Sequence, residues 1–125
     1  MDTATFSTFN RIRCESKAGF NHQLGAWSLS DWMVAVLGEL GEASNVVKKL
    51  NRFRDSIPGN VGETEAGLKA KLADELADAY IYLDLLFQAA GIDFDKAVND
   101  KFMRTSIKIG YPEKAFRASF EDNHA

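Results

Sequence analysis

Residues 38–52 read "GELGEASNVVKKLNR" and residues 75–86 read "ELADAYIYLDLL". Each stretch sets two acids three residues apart in an apolar helical pattern, Glu39 and Glu42 in the first, Glu75 and Asp78 in the second. Residues i and i+3 project from nearly the same side of a helix, where like charges repel by a few tenths of a kcal/mol. A glycine precedes each acid of the first pair, Gly38 and Gly41. Glycine inside a helix costs roughly 0.5–1 kcal/mol relative to alanine. Both features cost stability, and both call for a compensating role.

Working outward at about 100° per residue, the helix around Glu39 places Trp32, Val36, Leu40, Ala43, Val47 and Leu50 in one apolar stripe. Glu39 and Glu42 lie along its border. The helix around Glu75 places Leu68, Leu72, Leu76, Ala79, Leu83 and Leu86 in its own stripe, with Glu75 and Asp78 along the equivalent border. One acidic pair alone is ordinarily a solvated face. Two pairs at matching positions, packed side by side, bring four carboxylates to one cleft, and that needs a countercharge. An all-oxygen set without cysteine or helical histidine suits Mg²⁺, with Mn²⁺ as a substitute. A di-iron bundle requires Glu-x-x-His on two helices. The chain's two histidines, His22 and His124, fall instead in a loop and in the tail.

The remaining segments complete an all-α reading, a four-helix bundle over a single domain 1–125 with a short C-terminal extension. A first helix is expected from about Thr3 to Ala18, followed by the loop "GFNHQLGAW". Ser28 and Asp31 have capping-box spacing for a second helix ending near Arg54. "DSIPGNVGE" is punctuated as a loop, Thr64 caps a third helix that Gly91 stops, and Asp93 caps a fourth to about Ser106. The tail "GYPEKAFRASFEDNHA" is read as one further short helix or a frayed end.

The formal charge of −3 over 125 residues does not suit a protein that coats nucleic acid, so no nucleic-acid partner is expected. The basic run "KKLNRFR" sits at a helix end, where cations complement the macrodipole. No apolar run approaches the length of a membrane span, and the N-terminus lacks signal-peptide features. A lone Cys14 leaves no internal pair for a disulfide. The expected location is the cytoplasm.

The two quoted stretches, with the second acidic pair opening 33 residues after Glu42, resemble the MazG-like, all-α nucleoside triphosphate pyrophosphohydrolases. The motif is E-x-x-E on one helix and E-x-x-D on the next, with "NVVKK" and "KFMRTS" behind them. The run from about residue 22 to 111 is most similar to short single-domain members from bacteriophages. The resemblance implies hydrolysis of a (deoxy)nucleoside triphosphate to monophosphate and pyrophosphate, with Mg²⁺ held by Glu39, Glu42, Glu75 and Asp78. It also implies a homodimer or homotetramer, a host cytoplasm, and a lean toward dGTP or GTP. Some relatives carry an extra acid just before the first motif glutamate, where this chain has Gly38. The general base is then either a water acidified by the cation or a motif carboxylate, Glu39.

Around the acids, Asn45 and Lys49 continue the acidic side of the second helix. Lys49 either pairs with the acids or contacts a phosphate, and the resemblance favours the phosphate. Lys101 and Arg104, in a basic stripe that runs on to Lys108, are either a solvated face or, as the resemblance implies, contacts for the triphosphate tail, and Asn45 is counted with the substrate-binding residues. Trp27 and His22 fall outside any stripe and serve either as loop anchors or as groups that stack on or hydrogen-bond a base. Tyr80, Phe87, Met33 and Leu37 extend the apolar surface beyond the main stripes. They are expected at a subunit contact, or else covered by the first helix or the tail. The alternative from another class is a non-catalytic helical module that binds a metal, a nucleotide or a basic partner.

Overall fold

A side chain caps the start of each α-helix in the computed structural model, which describes residues 1–111. Asp2 accepts from the Thr5 N–H ahead of α1 (Thr3–Glu15), and Ser28 from Asp31 ahead of α2 (Leu29–Arg54). Thr64 accepts from Gly67 ahead of α3 (Glu65–Ala89), and Asp93 from Lys96 ahead of α4 (Phe94–Lys108). The Ser28–Asp31 capping box is reciprocal, so two otherwise orphaned amides are satisfied at the mouth of α2. The described residues are all-helical, as the sequence implies. The loop before α2 also contains a short 3₁₀ turn, Leu24–Ala26, that the sequence did not announce.

α1 stops at Glu15, short of the expected Ala18. The chain doubles back there, with the Phe20 N–H donating to the Arg13 carbonyl at 3.0 Å. Gly19 passes so close that a Cβ would lie 1.9 Å from the Arg13 oxygen, so only glycine fits the turn. After α3, Gly91 takes a left-handed φ of +68° and ends the helix as expected. The tail beyond Tyr111 lies outside the described residues.

The chain divides into two compact units, Met1–Gly91 and Ile92–Ala125. In the first, α2 and α3 make the principal packing contact and α1 lies on α3. A buried polar clamp fixes α1. The Asn10 amide donates to Asp84 Oδ2 at 2.9 Å and to the Ile81 carbonyl at 3.0 Å, while Gln88 Nε2 reaches Asp84 and Ser7. The core cluster consists of Cys14, Leu24, Trp32 and Leu85, and the Trp32 indole N–H donates to the Leu24 carbonyl at 3.1 Å. In the second unit, α4 is closed by Gly110 at φ +76° and runs to Lys108, slightly past the expected Ser106.

The burial of α2 and α3 corrects the stripes read from sequence. On α2 the buried residues are Trp32, Val36, Ala43 and Val46, whereas Leu40 and Val47 remain exposed. On α3, Leu68 and Ala79 are buried and Leu76 is exposed. Both helices are thus rotated toward their acidic borders. The small Ala43 and Ala79 sit at the seam, where they let the backbones approach. Glu39 and Glu75 consequently become half-buried parts of the seam.

Candidate metal centre

That rotation creates the site. Glu39 on α2 and Glu75 and Asp78 on α3 each offer a carboxylate oxygen, and the three oxygens lie within 4.8 Å of one another. Glu39 Oε2 and Glu75 Oε2 are buried without a hydrogen-bond partner. Such atoms are rare in folded proteins, because an unpaired buried oxygen carries its full desolvation penalty. Glu42 stands exposed at the rim, one turn along α2 from Glu39.

The electrostatics record the crowding. The neighbouring Glu42 carboxyl, which favours a protonated partner, then burial, then the charges of Glu42 and Glu39, raise the Glu75 carboxyl to about 7. Burial first, and then the Glu42 and Asp78 charges, also raise Glu39 above the ordinary carboxylate range. Among the described residues no lysine or arginine forms an ion pair with any of the four acids. Oxygen-only donors, two orphaned buried oxygens and no internal countercharge fit a hard divalent cation. Glu39, Glu75 and Asp78 would hold it, with Glu42 at the margin.

Gly38 and Gly41 have a simpler environment than their spacing suggested. Among the described residues no atom beyond the local turn of α2 lies within 4 Å of a Cβ built at either position, so neither is needed for packing among the described helices.

The other residues singled out in the sequence are placed as follows. Asn45 is exposed on α2, one turn beyond Glu42. Lys49 is already occupied: its Nζ lies 3.0 Å from Glu63 Oε1, which Lys71 also approaches at 3.7 Å. Asn60 donates to the Lys49 carbonyl at 2.7 Å, so Lys49 anchors the loop between α2 and α3. Glu63, the residue that captures Lys49, gave no periodic signal because it lies in that loop. Trp27 and His22 come together edge to face with ring centroids 4.6 Å apart, and both also pack on Trp32. His22 Nε2 is buried inside this aromatic cluster and has no hydrogen-bond partner among the described residues. Trp32 and Glu39 share a face of α2, seven residues and so about 10 Å apart along the axis. Lys101 and Arg104 are exposed on one side of α4, in the second unit.

A scan against protein-family models, a search of curated proteins and a search of solved structures each found no match to this chain.

Proposed function

We propose that the protein is a Mg²⁺-dependent nucleoside triphosphate pyrophosphohydrolase, releasing a monophosphate and pyrophosphate. The observation that carries this reading is the convergence of Glu39, Glu75 and Asp78 with two buried, unpartnered oxygens among them. When bound, the cation would neutralise the triphosphate and acidify a water near the α-phosphorus. Glu75 and Asp78 fix the ligand set from α3, and Glu39 closes it from α2. Glu39 is also the proton acceptor assigned here, since Gly38 offers no side chain for that task.

The aromatic cluster supports a nucleotide over a bare phosphate ester. Trp27 offers a half-open ring face, and His22 Nε2 an unsatisfied polar atom, on the side of Trp32. A lean toward dGTP or GTP, a cytoplasmic site of action and assembly into a homodimer or homotetramer belong to the same reading through the resemblance. No described helix is long and apolar enough to cross a membrane.

The test is a panel of the standard NTPs and dNTPs with Mg²⁺ or Mn²⁺, assayed for pyrophosphate. Release from at least one of them, abolished by a chelator, supports the reading. Metal and nucleotide binding without turnover across the panel favours the non-catalytic binding module.

A further inference from the structure

The rotation that buries the acids leaves the other side of the α2–α3 seam open. An elongated groove of about 770 Å³ runs there, floored by Leu40, Ala43, Val47, Leu72, Leu76 and Ile57. Its apolar floor is largely uncovered: Leu40 is 43% exposed, Val47 39% and Leu76 49%. The rim is basic. Lys48 and Arg52, four residues apart on α2, line it, and neither has a carboxylate within ion-pair distance among the described residues. The groove's acid, Asp55, is neutralised by Arg54 through hydrogen bonds of 2.7 and 2.8 Å. A chain of net charge −3 therefore presents an apolar trough edged by two cations that have no acidic partner among the described residues.

From Leu40 to Arg52 the groove follows α2 for about 18 Å, the length of roughly three helical turns. A trough between two antiparallel helices accepts a third helix through its apolar face. The cations select the partner's sign, with acids one turn apart matching Lys48 and Arg52. A second copy centred on the groove itself fits less well than one meeting α2 at Met33 and Leu37. A two-fold axis through the middle of the groove, near Val47, would bring Lys48 against Lys48 of the other copy. We infer that this groove docks an acidic amphipathic helix of a partner protein. The site is independent of the proposed nucleotide chemistry and needs neither metal nor nucleotide.

The test uses fluorescence anisotropy on the full chain with two fluorescein-labelled synthetic helices of about four turns. Both carry leucines at i, i+3/i+4 and i+7, one with glutamates flanking the leucines and the other with lysines. Expected is saturable binding of the glutamate peptide, with the lysine peptide at least about tenfold weaker. Lys48→Glu with Arg52→Glu should reverse that preference. Lys48→Glu alone, at an exposed position, should weaken the glutamate peptide while circular dichroism stays unchanged. Equal binding of the two peptides, no saturation, or indifference to charge reversal would overturn the inference. So would displacement of the peptide by dodecanoate at comparable affinity, which assigns the groove to small amphipathic anions. A wild-type dimer that Val47→Asp splits assigns the groove to a second copy and also overturns it.

Discussion

Glu39 and Glu75 face one another across the α2–α3 seam, with ligand oxygens within 4.8 Å and one buried, unpartnered oxygen on each. Two carboxylates so placed cannot both ionise without cost unless a cation joins them. The metal-free protein therefore carries a built-in conflict that pH and metal should each relieve.

The pH dependence follows from the raised Glu75 and Glu39 carboxyls. For a group whose folded pKa exceeds its unfolded value, the stabilising contribution is complete below the unfolded pKa. It is lost as pH rises through the folded one. With Glu75 at about 7 in the fold against 4.5 unfolded, metal-free protein should lose thermal stability between about pH 5 and pH 8. The carboxylates lowered by caps and ion pairs, such as Asp31 and Glu63, act oppositely but only at more acidic pH. Melting curves in chelator should show Tm falling across that window, and Mg²⁺ should flatten the fall. A Tm that rises from pH 5 to 8 in chelator contradicts the crowded-acid description.

Neutralising one acid separates stability from function. Glu39→Gln and Asp78→Asn should each raise the metal-free Tm at pH 8 while cutting turnover by more than about 100-fold, the scale of losing one preorganised electrostatic group. Unimpaired turnover in both variants would remove these residues from the site.

Gly38 and Gly41 sit in open space on α2, so alanine should fit at either position. Gly38→Ala and Gly41→Ala should each stabilise the metal-free protein by roughly 0.5–1 kcal/mol through helix propensity, measured by urea unfolding. A destabilised variant would reveal a neighbour, from a ligand or another copy, that presses on that face.

In the proposed assembly the contact is assigned to α2. Tyr80 packs on Phe6 of α1 with ring centroids 5.6 Å apart yet stays 36% exposed, and Phe87 is half-buried, so the two residues assigned to a subunit contact are only partly covered within the chain. Met33 and Leu37 on α2 stay open, Leu37 at 58%. Light scattering should give a mass at least twice the 13.9 kDa of one chain, and Leu37→Asp should reduce it to one. A wild-type monomer at micromolar concentration rules the oligomer out.

The sequence was most informative where chemistry is local. Capping at Ser28, Thr64 and Asp93 could be read directly, because a cap needs only a side-chain oxygen and an amide three residues on. The four acids were visible through their spacing. Periodicity gave the angular order of residues on α2 and α3 but not which side of each stripe would face the partner helix. That rotation depends on tertiary packing, with Ala43 and Ala79 at the seam and Leu40, Val47 and Leu76 outside it. The ion pair of Lys49 was hidden for a related reason, since its partner Glu63 comes from a loop that periodicity cannot place.

The central claim is attack at the α-phosphorus at the Glu39–Glu75–Asp78 site. Its most direct measurement is hydrolysis of the best nucleoside triphosphate in oxygen-18 water, with the products read by mass spectrometry. The account predicts label in the nucleoside monophosphate and unlabelled pyrophosphate, with both products lost in Asp78→Asn. Label in inorganic phosphate beside a nucleoside diphosphate would contradict it.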